Sequence, residues 1–149
     1  MSNIYVERLD AIIAQLELSR SYQITRTPIT LTAAVPVYHG RFVTVSGSGG
    51  CGHASAAHPL TAAIGYVNED YGVGQPVLIW RDGDVMVTLP GQDAASLMMP
   101  VYLSGDGLVT RTMPLEVGGI VQTLGVIMAL GDGDRVRIAV LIGNAEEIM

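Results

Sequence analysis

Apolar and polar residues alternate with a period of two near the end of the chain, over residues 135–142. The apolar set is Val136, Ile138, Val140 and Ile142, and the intervening set is Arg135, Arg137, Ala139 and Leu141. Successive side chains of a β-strand point to opposite faces, so this pattern predicts a strand with one face on a core.

Turn sequences divide the surrounding residues 101–142 into three apolar, β-branched runs. Residues 104–107 read SGDG and residues 131–134 read GDGD. Asp favours turns and Gly supplies positive φ, so each sequence predicts a turn between two strands. A similar RDGD at residues 81–84 predicts a hairpin between the runs at 76–80 and 85–89.

The first half of the chain contains a looser copy of the same unit. The sequence PVY occurs at 36–38 and again at 100–102, and the glycine-marked IGYV at 64–67 corresponds to LGVI at 124–127. Pseudo-repeats therefore span about residues 36–90 and 99–143. A small meander cannot bury its own apolar face. The pair thus predicts an all-β domain over residues 23–149, a small β-barrel or β-sandwich built from two similar meander units.

Residues 1–22 have a different pattern and are predicted to form an N-terminal helical arm. Apolar residues recur there at helical spacing and form one stripe. The stripe consists of Tyr5, Leu9, Ile12, Ile13 and Leu16. Such an amphipathic helix either closes one end of its own domain or docks on a neighbouring subunit, and the pattern leaves both open.

The next segment, residues 20–36, is extended in character. It is rich in Thr and Ile, and Pro28 and Pro36 are incompatible with a helix interior. It is either the first strand of the domain or an arm that pairs with a foreign sheet edge. Together with the helical stripe, we expect its apolar residues to form an interface with another chain. These residues are Tyr22, Ile24, Ile29 and Leu31.

Charged residues make up 15% of the chain and apolar residues 49%. A typical globular chain has about 25% charged residues. The deficit predicts an outer surface largely covered by other copies or by another protein. All eight basic residues are Arg, which excludes a phosphate-binding or Schiff-base lysine. The net charge of −6, with no basic run, argues against a nucleic-acid partner.

One cysteine, Cys51, excludes an internal disulfide and fits a protein made in the cytoplasm. Charged residues at 7, 8 and 10 interrupt any early apolar core, so we expect no signal peptide. No uncharged apolar span reaches the roughly 18 residues that a membrane helix needs, so we expect no membrane partner.

The candidates for chemistry cluster in residues 46–58, which read SGSGGCGHASAAH. A GxGxxG occurs at 47–52, but Pro59 follows shortly and no helix is indicated, so we interpret the stretch as a flexible loop. Cys51 with His53 or His58 could act as a nucleophile–base pair or as zinc ligands. Structural zinc requires a fourth ligand, and a catalytic pair requires rigid positioning that Gly, Ser and Ala do not provide.

The acidic pairs in the DGD sequences at 82–84 and 132–134 lack the further ligands of a calcium loop and are assigned to turns. We therefore predict no catalytic residue, no cofactor-binding residue and no metal ligand. The chain is interpreted as a structural protein and not as an enzyme.

The order of these β motifs resembles the bacteriophage head-decoration (capsid cement) family, a β-rich family also described as phage recombinase-like proteins of unknown function. The resemblance covers about residues 30–142. It rests on the PVY strands, on RDGDVMVTLPG at 81–91, on MMPVYLSGDGLVT at 98–110 and on LGVIMALGDGDRVRIAVL at 124–141.

This resemblance implies a small β domain, commonly trimeric, on the outer capsid surface of a virion. There it would clamp adjacent subunits of the major capsid protein after synthesis in the host cytoplasm. The implied partners are the major capsid protein and other copies of the chain, with no cofactor.

Another virion β component, such as a tail-tube or spike domain, stays open, and so do two functions of other classes. One is a surface binding module for a carbohydrate or a receptor. The other is a Cys–His hydrolase centred on Cys51, with His53 or His58 as the base.

Overall fold

A computed structural model describes residues 28–149, which form an all-β domain without an α-helix in that range. This confirms the predicted all-β class. The predicted helical arm, with Tyr5, Leu9, Ile12, Ile13, Leu16, Tyr22 and Ile24, lies outside the described residues. The strands are β1 (Ile29–Ala33), β2 (Phe42–Ser46), β3 (Gly50–His53), β4 (Gly65–Tyr66), β5 (Pro76–Ile79), β6 (Asp82–Thr88), β7 (Pro100–Leu103), β8 (Val109–Thr110), β9 (Ile120–Val121), β10 (Thr123–Leu130), β11 (Arg135–Leu141) and β12 (Glu146–Glu147).

Five strands form the first sheet, in the order β4-β2-β3-β1-β5. β1 runs parallel to β3, and the other pairings of this sheet are antiparallel. Tyr66 of β4 also bridges Trp80, which directly follows β5, through two backbone hydrogen bonds of 2.8 and 2.9 Å. The two edges of the sheet therefore meet, and the first sheet curls into a nearly closed barrel.

The second sheet has the order β6-β11-β10-β7-β8 and is antiparallel throughout. The turn at residues 104–107 joins β7 to β8, and the turn at residues 131–134 joins β10 to β11, so both predicted turns are confirmed. Gly131 N donates to the Arg135 carbonyl oxygen at 2.8 Å and closes the second of these hairpins. A short ladder of β9 and β12 lies apart from both sheets.

The predicted hairpin at residues 81–84 is wrong. β6 begins at Asp82 and leaves the first sheet, so that β5 and β6 lie in different sheets. All seven residues of β6 pair with β11, from Asp82 opposite Leu141 to Thr88 opposite Arg135. The Asp-Gly dipeptide is thus part of a strand. A seven-residue ladder satisfies far more backbone groups than a two-residue turn, and it outweighs the local turn preference.

The interpretation of residues 46–58 as a flexible loop is also wrong. Residues 47–49 form a tight turn, and β3 follows as a central strand of the first sheet, flanked by β2 and β1. Its glycines have a packing reason, since a Cβ on Gly50 would collide with the Ser46 carbonyl oxygen and one on Gly52 would lie 3.3 Å from Val35. Strands that approach this closely require glycine, although the same composition is typical of flexible loops.

Two clusters of buried side chains make up the core. The larger lies between the sheets, where Phe42 and Tyr66 pack with residues of the second sheet such as Val85 and Ile138. The smaller lies inside the first sheet and contains Ala33, Val37, Val43, Cys51, Val67, Val77 and Ile79. Both faces of β2 are therefore buried. Burial of each large apolar side chain contributes roughly 1.5–3 kcal/mol to the free energy of folding.

Two glycines from the proposed pseudo-repeats occupy similar environments. A Cβ on Gly65 would collide with the Trp80 carbonyl oxygen and lie 2.6 Å from Cγ2 of Ile79. A Cβ on Gly125 would collide with the Ala139 carbonyl oxygen and lie 2.8 Å from Cγ2 of Ile138. In both halves the neighbouring, hydrogen-bonded segment approaches a glycine at a distance that no side chain permits. The duplication over residues 36–90 and 99–143 stays a prediction. The division between helical arm and β domain at residues 22 and 23 stays one as well.

Candidate functional site

A hydrogen-bonded polar cluster joins the two sheets at their contact, and we call its members Arg41, His53 and Asp106 the junction cluster. His53 ends β3, Arg41 precedes β2, and Asp106 lies in the turn between β7 and β8. His53 Nδ1 lies 2.8 Å from Asp106 Oδ1, and an Arg41 guanidinium nitrogen donates to Asp106 Oδ2 at 2.8 Å. The same nitrogen donates to the Asp106 carbonyl oxygen at 2.9 Å. One carboxylate thus binds two side chains of the first sheet.

The backbone around His53 determines its tautomer. Tyr38 N–H donates to His53 Nε2 at 3.1 Å, and a backbone N–H can only donate, so Nε2 is the acceptor. The ring proton is therefore on Nδ1, which donates to Asp106. The bonds from His53 and then from Arg41 lower the pKa of Asp106. The cluster therefore joins the two sheets through one ion pair and several hydrogen bonds, and both ring nitrogens of His53 are hydrogen-bonded.

This geometry does not support a Cys51–His53 nucleophile–base pair. A general base needs a ring nitrogen with a free lone pair, and the acceptor nitrogen of His53 is bonded to Tyr38. The Cys51 side chain is fully buried in the smaller core cluster, and this burial raises the pKa of its thiol. A buried thiol with a raised pKa is a poor nucleophile.

His58 has a different role. Its Nδ1 accepts a hydrogen bond from Leu60 N at 3.0 Å and caps a single 3₁₀ turn at Pro59–Thr61. Within residues 28–149, no group of three or more His, Cys, Asp or Glu side chains is placed to hold a metal ion.

Backbone hydrogen bonds reinforce the contact between the sheets. Phe42 N donates to the Gly107 carbonyl oxygen at 2.9 Å, and Gly107 N donates to the Ala54 carbonyl oxygen at 2.7 Å. Gly107 has φ of +72°, and a Cβ there would come within 2.5 Å of the Phe42 carbonyl oxygen. Only glycine permits this approach.

A buried glutamine forms a second link between the sheets. Gln122, between β9 and β10, is 2% exposed. Its Oε1 accepts from Ala63 N at 2.8 Å, and its Nε2 donates to the carbonyl oxygens of Ala63 at 2.9 Å and Gly143 at 3.1 Å. One side chain thereby satisfies both backbone groups of Ala63, which no strand of the first sheet reaches.

Large apolar side chains lie exposed at several places on the domain. Met98 N donates to the Ile127 carbonyl oxygen, and Ile127 N to that of Met99, so the segment before β7 lies along β10. The exposed apolar residues of these two segments are Leu97, Met98, Met99, Met128 and Leu130. A second exposed group, in the connection from β8 to β9, is Met113, Leu115 and Val117.

Two of the predicted interface residues lie in the described part of the chain. Both Ile29 and Leu31 are in β1, between β3 and β5. Ile29 is partly exposed, and Leu31 packs against the smaller core cluster. β1 is the first strand of the described part of the chain. An interface role for the side chains of Ile29 and Leu31 stays a prediction.

The fold is similar to that of a phage protein of known structure, the N-terminal base of the head fiber protein gp8.5 of bacteriophage phi29. The match has a TM-score of 0.53 and 14% sequence identity, and it covers 80% of this chain and 97% of the other. At this identity the likeness shows a shared fold. No protein-family model and no curated protein matches the sequence. In the described part of the chain no helix is both long and apolar enough to cross a membrane.

Sequence reasoning identified His53 but missed the junction cluster. Asp106 is 53 positions away in the chain and was assigned to a turn alone. The sequence carries no signal that pairs these residues, since the constrained conformation of Asp106, with φ of +54°, is a property of the folded chain.

Proposed function

We propose that this protein is a structural component of a bacteriophage virion, a decoration (cement) protein on the outer capsid surface. The observation that carries the proposal is the fold shared with the phi29 head fiber base over 97% of that chain. The motif resemblance to head-decoration proteins over residues 30–142 agrees with it and rests on the sequence instead of on the fold.

The surface of the domain supports the same proposal. Exposed methionine and leucine side chains along β10 and in the β8–β9 connection supply apolar area for protein contacts. Met adapts its shape to a partner more easily than branched side chains do. The junction cluster and Gln122 join the two sheets, so the domain presents this surface as one body.

In this proposal the partners are the major capsid protein and other copies of the chain, in a homotrimer. Binding to the assembled lattice and not to free subunits would stabilise the capsid by mass action. The stripe of Tyr5, Leu9, Ile12, Ile13 and Leu16, with the apolar residues of the next segment, would supply intersubunit or capsid contacts.

The proposal is tested by co-sedimentation of the purified chain with empty heads of the parent phage, together with its mass in solution. We expect a trimer that binds heads at a fixed number of copies per head. If the full chain does not bind heads, the cement function is wrong.

A deletion of residues 1–22 tests the arm separately. We expect a large loss of head occupancy with little change in the thermal unfolding of the β domain. The paired substitutions Ile12→Asp, on the stripe, and Gln15→Asp, off it, add the same charge, and only the first should reduce occupancy. Unchanged occupancy after the deletion would refute the role of the arm and leave the cement function intact.

A further inference from the structure

A groove lies where the turn at residues 38–41 crosses the second sheet. Gly40 has φ of +75°, and a Cβ there would lie 2.8 Å from the Met86 carbonyl oxygen, so the turn rests directly on β6. Cavities of about 330 and 320 Å³ flank this contact. Both are lined by His39, Gly40, Met86 and Arg135, and Arg137 lines the first. We call these five residues the arginine groove.

The two arginines of the groove have no ionic partner among residues 28–149. Arg135 and Arg137 occupy alternate positions on β11, and both are exposed on its outer face. Their cross-strand neighbours on β6 are Thr88 and Met86, which carry no charge. Arg41, in contrast, is bound to Asp106, so the pairing of arginine with carboxylate elsewhere in the molecule is not repeated here.

Four acidic residues lie near the groove. Asp70 is engaged and Asp84 lies at one end, whereas Asp132 and Asp134 lie in the turn directly before Arg135 and line neither cavity. Asp70 Oδ1 accepts from His39 N at 2.9 Å and contacts His39 Nδ1 at 2.8 Å, which holds the histidine beside the groove. Asp84 lines only the first cavity, together with Asn68. The second cavity has Arg41, Arg135 and Thr88 in its lining and no acidic residue. The positive charge of the lining is therefore concentrated toward Arg135, in a protein whose net charge is −6.

We propose that the arginine groove binds an extended acidic segment of a partner protein, with carboxylates at alternate positions. Residues two apart on a strand are separated by about 6.6 Å on the same face, so carboxylates at i and i+2 of an extended peptide match the two guanidinium groups. β11 lies inside the sheet, between β6 and β10, so its backbone is already paired and recognition falls to side chains.

An acidic peptide fits the groove better than a nucleic acid does. The net charge of −6 opposes the approach of a polyphosphate backbone, and neither cavity is lined by a Phe, Tyr or Trp ring on which a base could stack. A short peptide segment needs only the local charge of the groove.

The test measures binding of a labelled peptide with alternating Glu and Ser to the full chain by fluorescence anisotropy. At an ionic strength of about 0.01 M the peptide should bind, and at about 0.15 M it should bind more weakly, because charges are then screened beyond about 8 Å. The double variant Arg135→Gln/Arg137→Gln should bind about ten-fold more weakly or worse, as expected for the loss of two charge-assisted contacts.

Arg81→Gln is the matched control for charge. Arg81 is exposed and precedes β6 at the end of the β6–β11 ladder opposite to Arg135. Arg81→Gln should leave the affinity for the peptide unchanged. The Arg135→Gln and Arg137→Gln substitutions should leave the unfolding temperature of the protein unchanged. A peptide with the same composition but with its Glu residues in adjacent pairs should bind more weakly, because only one carboxylate then meets the groove.

Three outcomes would overturn the proposal. The peptide fails to bind, or Arg81→Gln weakens binding as much as the groove substitutions do, which indicates net charge alone. In the third, a single-stranded oligonucleotide binds more tightly than the peptide and depends on the same arginines, which assigns the groove to phosphates.

Discussion

The two sheets differ in how their strands are buried. In the second sheet, β6 and β11 have seven residues each, and exposed and buried positions alternate along them. In the first sheet the strands have two to five residues, and three successive residues of β2 are buried. One face of β2 packs inside its own curled sheet and the other packs on the second sheet.

This difference has a general cause. Alternation of apolar and polar residues reports a strand with one face in solvent, whereas a strand that is covered on both faces has no such period. The curled first sheet is covered by its own interior and by its neighbour, and its strands approach one another through glycine. β2, which is covered on both faces, consequently shows no period of two, whereas β6 and β11 do.

Gly65 and Gly125 offer the strongest test of whether the two halves share the same close contact between a glycine and its neighbouring strand. We expect Gly65→Ala and Gly125→Ala each to lower the free energy of unfolding by about 3 kcal/mol or more, since a Cβ would collide with a backbone oxygen that cannot move aside alone. Denaturant unfolding measures both.

The control for these substitutions is Gly105→Ala. A Cβ there meets no atom within 4 Å, so stability should change little. If only one of the two substitutions, Gly65→Ala or Gly125→Ala, lowered the free energy of unfolding, the proposed similarity of the halves at this point would be wrong.

The link between the regions is tested next by Gln122→Leu. The substitution keeps side-chain volume but leaves the N–H and carbonyl oxygen of Ala63 without a partner, at a cost of about 2–4 kcal/mol. Thermal and denaturant unfolding should show it. Gln92→Leu, at an exposed amide that bonds only the Pro90 carbonyl oxygen, should have almost no effect, and equal losses at the two sites would contradict the role of Gln122.

Inside the first sheet, Cys51 is expected to act as a core residue. Cys51→Ala should lower stability by about 1 kcal/mol, because it removes one buried heavy atom from the smaller cluster. In the folded wild-type protein the thiol should react with a thiol reagent only as fast as the domain opens. Rapid labelling of the folded protein would show that Cys51 is accessible and contradict its assignment to the core.

The smallest effect is expected at the junction cluster, through Asp106→Asn. The pKa of Asp106 is lowered in the folded protein by His53 and then Arg41, so its contribution to stability is present above the unfolded pKa of about 3.9. This contribution is lost as pH falls through the lower, folded pKa. Because the Asp106 side chain is 69% exposed, it should stay below about 1 kcal/mol.

The measurement is the difference in unfolding free energy between wild type and Asp106→Asn as a function of pH. It should be constant near neutral pH and shrink below about pH 4. Asn tolerates the positive φ of this position, so the variant changes charge and not backbone strain. Asp132→Asn, in the β10–β11 turn, controls for net charge, and a difference that grows toward acid would contradict the assignment.

The contrast between the sheets also explains which predictions succeed. The turns at 104–107 and 131–134 were predicted correctly because each joins two consecutive strands that pair with each other. The sequence RDGD at 81–84 has the same local chemistry, but its second strand pairs about 50 residues later with β11. Local patterns carry no information about that choice of partner.

For the candidate site the same limit applies. Cys51 and His53 drew attention as residue types, yet their roles follow from burial and from the Tyr38 N–H, neither of which the sequence contains. Arg135 and Arg137 were predicted to lie on the face of a strand that is turned toward solvent or a partner. Their position in a groove depends on the turn at Gly40, which reaches β6 only in the folded chain.

By itself, the amino-acid sequence determined the all-β class, which side chains of β11 face the core, and the two local hairpins, because side-chain alternation and turn chemistry act between near neighbours. The tertiary structure alone decided that β6 joins the second sheet, that β3 is a strand, and that Arg41, His53 and Asp106 meet. Those outcomes depend on backbone pairing and burial between distant segments, and their energies exist only once the sheets are in contact.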